Sequence, residues 1–218
     1  CTAEDPVEIK VPGINQVNVL PKIGLDFANA LRAFLRQDPD VVMGGEIRDQ
    51  ETARIAIQAS LTGHLVLSTV HTNSAVGAIT RLRDMGIESF LLSSSLKTII
   101  SQRLARRLCH QCKVEHQLSS SMAKLFNIKK GTTVFAAKGC DHCDGTGYVG
   151  RIAVAESVQI DAELKNMIHE RASEQAIAKY AFQHHLSIDE AGQGLIVSGI
   201  TSAEELIRIN NQKEDVSL

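Results

Sequence analysis

Apolar residues along this chain fall into two periodicities. Phe27, Ala28, Leu31, Phe34 and Leu35 recur at helical spacing and predict an amphipathic helix over 23–37, stopped by Asp38-Pro39. Val41-Val42-Met43, a short apolar run closed by Gly44-Gly45-Glu46, predicts a strand of a covered parallel sheet. An Ala- and Ile-rich helix follows from Asp49 to Leu61, ended by Gly63. Leu65 to Val70 then predicts a second buried strand, and Ser74 can cap a helix reaching Met85. Such alternation of strand and helix argues for an α/β fold with a parallel sheet. Residues 87–108 read as mostly helical, with Arg103, Arg106 and Arg107 as cations at a helix C-terminus. Short helices are expected over 161–170, 172–185, 187–198 and 202–210. Thr201-Ser202-Ala203-Glu204 supplies capping-box spacing for the last of these. The polar tail Asn210–Leu218 is expected to fray.

The cysteines add what periodicity does not show. Cys109, Cys112, Cys140 and Cys143 form two C-x2-C pairs, with residues 113–139 between them and Cys1 standing apart. Two residues between thiols let both point inward from one turn, and two such turns close a tetrahedral four-thiolate shell of the kind zinc favours. That shell leaves no open position, so the ion would be structural. Two disulfides or free thiols are the alternatives, and disulfides are disfavoured in a chain without secretory features. His110, His116 and His142 could also substitute as ligands. The intervening residues must form an excursion of their own. The chain is therefore read as an α/β core over 1–108, a tetracysteine module over 109–150 and a helical subdomain over 151–218.

Charge and composition narrow the function classes. The 218 residues hold 23 Lys+Arg against 25 Asp+Glu, six Phe, two Tyr and no Trp. Near-neutrality lacks the basic stripe of a phosphate-gripping nucleic-acid binder, and the few aromatics offer little for bases to stack on. No stretch approaches the roughly 20 apolar residues of a membrane span. The composition suits a soluble globular protein cut from a longer chain.

Candidate chemistry clusters at strand ends, where α/β folds place their sites. Glu4-Asp5-Pro6-Val7-Glu8 is the first cluster, Asp38-Pro39-Asp40 through Gly45-Glu46-Ile47-Arg48-Asp49 the second, and Gly63-His64 through His71-Thr72-Asn73 the third. Glu46 can polarise a water for attack on a phosphoryl group or hold Mg²⁺ through water; equally, it can be an acid welcomed at a helix start. His64 and His71 bracket the strand at opposite ends, as structural donors or as catalysts. Arg32 and Arg36, four residues apart, form a solvated basic face or reach a phosphate from a neighbouring subunit.

Taken together these segments resemble the secretion ATPase superfamily. The first is similar to its Asp box; Leu35-Arg36-Gln37-Asp38-Pro39-Asp40 running into Gly45-Glu46-Ile47-Arg48-Asp49 resembles its Walker B region; Thr62-Gly63-His64 to His71-Thr72-Asn73 resembles its His box. The tetracysteine insertion points to the type II secretion and type IV pilus assembly ATPases, the GspE/PilB family. The resemblance covers residues 1 to about 210 and implies a RecA-like core, a hexameric ring and ATP hydrolysis at subunit interfaces. It implies that Glu46 is the catalytic carboxylate, and that Glu4, with Asp5 and Glu8, positions Mg²⁺ and water. His64 and His71 would orient the γ-phosphate region, Arg32 and Arg36 would reach phosphates across the ring, and Arg48 would lie in the nucleotide site. The implied partner is an inner-membrane platform protein, with the motor cytoplasmic and peripheral to that membrane, driving pilin assembly or protein secretion. Neither nucleic acid nor membrane insertion is expected.

One signature is missing. No G-x4-G-K-[S/T] phosphate-binding loop occurs in these residues; Gly131-Thr132-Thr133 and Gly192-Gln193-Gly194 lack both the Lys and the spacing. In the resembled family that loop precedes the Asp box, so the chain is read as a partial core that neither binds ATP tightly nor hydrolyses it. Two rival readings remain: a zinc-stabilised protein-binding module without chemistry, and a RecA-like, nucleic-acid-dependent ATPase fragment.

Overall fold

The computed structural model describes residues 1–211, and these divide into two compact units, residues 1–99 with 159–181 and residues 100–158 with 182–211. The first unit carries a four-stranded, wholly parallel sheet. Its strands are β1 (Thr2–Glu4), β2 (Gln16–Asn18), β3 (Val41–Gly44) and β4 (Leu65–Ser68), in the order β2-β1-β3-β4. Thr2 is level with Gln16 and Met43, and Gly44 with Ser68. A parallel register brings every strand out at the same edge, so Glu4, Asn18, Gly44 and Ser68 all hand the chain to loops on one side. This is the α/β architecture expected from the alternating pattern.

Three helices of this unit start on a residue whose side chain accepts a hydrogen bond from an otherwise unpaired N–H. Asp26 accepts from Asn29 at the head of α1 (Phe27–Leu35), Asp49 from Thr52 at α2 (Gln50–Leu61), and Ser74 from Gly77 at α3 (Ala75–Asp84). Ala28, Leu31 and Phe34 of α1 pack with Ala3, Val19, Val42 and Ile55 into one apolar cluster. Farther on, Arg83 donates to the carbonyls of Ile168 and Ala172, tying α3 to the end of α6 (Ala162–His169).

Strand β4 corrects one expectation. It is an edge strand, not a buried one: Leu65 and Leu67 are 53% and 47% exposed, and Val41 beside them 42%. An apolar run bounded by breakers shows that a strand forms, but not whether anything covers it.

A larger correction concerns residues 87–108. Only α4 (Ser89–Ser95) is helical; Thr98–Leu108 form an eleven-residue strand, β5, paired with the twelve-residue β8 (Tyr148–Gln159). Arg103, Arg106 and Arg107 thus sit on a strand and not at a helix terminus. Between these strands lie the antiparallel hairpin β6 (Val114–Gln117) and β7 (Thr133–Ala136), with α5 (Ser120–Leu125) inside the excursion. The expected C-terminal helices form as α6, α7 (Glu174–His184), α8 (Ile188–Val197) and α9 (Ala203–Asn211), with α6 and most of α7 in the first unit. The polar tail lies outside the described residues from position 212 onward.

The second unit gathers its core from Ala105, Phe126, Val134, Val154, Ile196, Leu206 and Ile209. Within that core Glu205, whose side chain has no exposure, accepts hydrogen bonds from the backbone N–H and guanidinium of Arg106 and from the guanidinium of Arg208. Arg106 lies 4.2 Å from the centre of the Tyr148 ring, whose hydroxyl meets Ser202 Oγ at 2.8 Å. Ser202 Oγ also accepts from the N–H of Glu205, so Ser202 caps α9. Thr201, the first residue of the expected capping box, instead donates its hydroxyl to the Arg106 carbonyl. No helix of the described residues is long and apolar enough to cross a membrane.

Candidate functional site

The shared edge of the parallel sheet assembles a polar cluster around Glu46. Its loop is fixed on both sides: Gly45 N–H donates to Ala3 O at 2.7 Å, and Ile47 N–H donates to Thr69 O at 2.9 Å. The hydroxyls of Ser68 and Thr69 donate to the carbonyls of Gly44 and Gly45. Glycine is required at 45 by contact, since a Cβ there would lie 2.9 Å from Ala3 O and 3.0 Å from Phe27 Cε1. Glu46 is consequently aimed from a braced turn, with its side chain 12% exposed.

Glu46 divides its two oxygens. Oε1 pairs with Arg48, and Oε2 lies 3.1 Å from Nε2 of His71, a ring 89% exposed. Hydrogen bonding to Arg48 holds the carboxyl below its ordinary range against the opposing effect of burial, with His71 adding to the shift. Arg48 is stabilised as a cation chiefly by Glu46, and Asp5 contributes to the same field. Glu4 lies on the same edge, where it accepts from Thr2 Oγ1 at 2.6 Å and Gln16 Nε2 at 2.9 Å; both bonds lower its pKa. The edge therefore presents two carboxylates held ionised, an exposed guanidinium and an exposed imidazole.

Other residues singled out from the sequence lie elsewhere. His64 precedes β4, at the opposite end from His71, and its Nδ1 is 3.0 Å from Ala59 O and 3.1 Å from Thr62 Oγ1 at the end of α2. Arg32 reaches Glu51 at 2.5 Å and, with Gln50, Arg54, Ile55 and Gln58, lines a cavity of about 290 Å³. Arg36 is exposed at the end of α1, and Glu8 is exposed in the loop after β1. The pattern alone did not single out Ser68 and Thr69 as braces of the Glu46 turn. Their signal was an apolar run, Leu65-Val66-Leu67, that ends in two hydroxyl residues.

A second cluster lies in the other unit. The Sγ atoms of Cys109, Cys112, Cys140 and Cys143 all fall within 4.8 Å of one another. Measured separations are 3.9 Å for Cys109–Cys140, 3.8 Å for Cys112–Cys143 and 3.7 Å for Cys140–Cys143. A disulfide needs about 2.05 Å, and all five cysteines are free. Four thiolates about 2.3 Å from a central ion sit about 3.8 Å apart at tetrahedral angles. The donor set thus fits one ion in both number and spacing. Cys143 Sγ also accepts from the N–H groups of Cys140 at 3.2 Å and Gly147 at 3.1 Å. Burial disfavours the Cys143 thiolate, but these donors outweigh it and lower the thiol's pKa, whereas burial raises that of Cys112. Gly139 opens the second turn at φ +103°, where a Cβ would meet Gly145 O at 2.4 Å.

Comparison with known proteins agrees with this organisation. The type II/IV secretion system protein family matches residues 1–208. A putative type II secretion system protein E of Escherichia coli is 53% identical over 95% of this chain, and the type II secretion system ATPase E of Vibrio cholerae 51% identical over 97%. The chain spans 43% and 42% of their respective lengths. Among solved structures, the pilus retraction motor PilT with bound ADP superposes with a TM-score of 0.66 at 28% identity, covering 95% of this chain and 51% of that one. The ATPase DotB of Legionella pneumophila, 21% identical, shares the fold with a TM-score of 0.63 over 97% of this chain and half of its own.

Proposed function

The chain belongs to the type II/IV secretion system protein family, and on that premise we propose that it is the C-terminal motor portion of a hexameric ATPase powering type II secretion or type IV pilus assembly. The observation that carries this reading is Glu46, braced at the carboxyl edge of a parallel sheet and held ionised beside Arg48 and His71. An ionised, largely shielded carboxylate can accept the proton of an attacking water as phosphoryl transfer proceeds. His71, anchored through Nε2 and otherwise open, is placed to orient the terminal phosphate region. Arg48 is placed to draw phosphate charge toward Glu46.

Glu4, with Asp5 and Glu8, would hold Mg²⁺ through water, an ion that neutralises developing phosphate charge. Glu4 suits that role because Thr2 and Gln16 keep it an oxygen donor at neutral pH. In a ring, Arg32 and Arg36 would serve a neighbouring subunit, a reading supported by their exposure away from Glu46. His64 is assigned the same phosphate region in this family reading, although its present partners are the end of α2. The tetracysteine cluster would hold one structural Zn²⁺, which locks two distant turns together. The motor would be cytoplasmic and would work against an inner-membrane platform protein.

The intact protein carrying these residues is expected to hydrolyse ATP, and Glu46→Gln to lower turnover about 10²- to 10⁴-fold, the usual contribution of a general base, with circular dichroism unchanged. The 218 residues by themselves, without a G-x4-G-K-[S/T] loop, are expected to show no turnover. Undiminished hydrolysis by the Glu46→Gln protein would defeat the assignment.

A further inference from the structure

Each turn of the tetracysteine cluster carries a histidine inside its C-x2-C pair, His110 beside Cys109 and His142 beside Cys143. Both side chains are exposed, and their ring centroids stand 5.3 Å apart at an interplanar angle of 75°. We propose that His110 and His142 bind a second divalent transition-metal ion, of the zinc or nickel class, outside the thiolate shell.

Geometry makes the first argument. Two imidazoles on one tetrahedral ion, each nitrogen about 2.0–2.1 Å from the metal, place their ring centres about 5 Å apart. Preorganisation makes the second. The rings stand 32 residues apart in sequence (142 − 110 = 32), yet the Cys109–Cys140 and Cys112–Cys143 contacts hold their turns together. Neither ring has a hydrogen bond or ion pair among the described residues, so no partner must be displaced. Charge makes the third and rests on the four-thiolate reading. A divalent ion with four thiolates carries a net charge of about −2, and a second cation beside it is attracted. No third side chain completes this pair among the described residues, so the ion keeps open positions for water or an exchangeable ligand.

The test is calorimetric titration of Zn²⁺ into the protein, joined to ring-proton NMR with Ni²⁺ as a paramagnetic probe. The expected result is one tight equivalent from the cysteines and a second, weaker one. The second is weakened about tenfold or more in both His110→Ala and His142→Ala and unchanged in His184→Ala/His185→Ala. Added after one equivalent of Zn²⁺ has filled the cysteine shell, Ni²⁺ should broaden the ring resonances of His110 and His142 selectively, and the broadening should vanish in the double substitution. Absence of the weaker equivalent, a weaker equivalent that survives the His110→Ala/His142→Ala double substitution, or no selective broadening would overturn the proposal and leave the rings as an aromatic contact. Loss of only the tight equivalent would instead count against the four-thiolate reading, because the imidazole pair is scored separately by its own broadening.

Discussion

The cluster around Glu46 and the tetracysteine cluster are built on opposite plans. The cysteines contribute four like atoms from two turns, and the turns close over them, with Cys109, Cys112 and Cys143 buried. Around Glu46 only the carboxylate is shielded, while His71 and Arg48 stand 89% and 62% exposed. One site gathers its four sulfurs wholly within its own unit. The other fixes one group rigidly and leaves its neighbours facing outward, as a site must when its ligand comes from elsewhere. Removing a donor should therefore unfold the first and merely disable the second.

Cys143→Ser is expected to have the largest effect. A structural zinc supplies about 10–16 kcal/mol in small zinc-finger peptides, and the substitution also removes the sulfur that receives two backbone N–H bonds. Metal analysis should show loss of the ion and thermal melting should show loss of the second unit's transition. Full metal content with an unchanged melt would erase the contrast drawn above.

Glu205→Ala comes next. Removing one partner of a buried ion pair costs about 3–5 kcal/mol. The lower end, about 3 kcal/mol, is expected here because Arg106 and Arg208 remain 44% and 43% exposed. Urea unfolding measures it. The same group predicts an acid limb. Burial would raise its pKa, but Arg208 and Arg106 lower it from 4.5 to about 2. A depressed pKa means that the unfolded state takes up the proton first, so the contribution is complete above pH 4.5 and is lost as pH falls from 4.5 toward 2. The variant should show a flatter stability profile across that window.

Gly45→Ala tests the rigid half of the Glu46 site. The new methyl must displace the Ala3 carbonyl or the Phe27 ring, an overpacking cost of about 1–3 kcal/mol, read by urea unfolding of the first unit. The smallest effect belongs to Arg32→Ala. Its pair with Glu51 is 44% and 62% exposed, so stability should change by only about 0.2–1 kcal/mol. A large loss there would mean that the outward-facing groups hold the fold after all.

Local pattern was sufficient for much of this molecule. The cap Ser74, the helix start at Asp49, the breakers after Leu35 and Leu61, and the C-terminal periodicities produced helices within a few residues of expectation. Strands were legible only in part. In β8 a period-two signal was present, because Ile152, Val154, Glu156 and Val158 alternate inward. A charged residue in that series, and a zinc module expected to end at 150, obscured it. In β5, arginines interleaved with Ile, Leu and Ala imitate an amphipathic helix, and its strand state comes from pairing with residues far along the chain.

Sequence by itself determined the metal-donor set, the family segments and the capped helices, because each depends on residues within a few positions of one another. Tertiary structure decided which strand lies at the edge, which residues meet Glu46 and how a buried Glu205 is satisfied. His71 reaches Glu46 across 25 positions and Arg106 reaches Glu205 across 99. Such contacts follow from strand order and register, which are chosen by burial over the whole unit and leave no local spacing for a reader of the sequence to find.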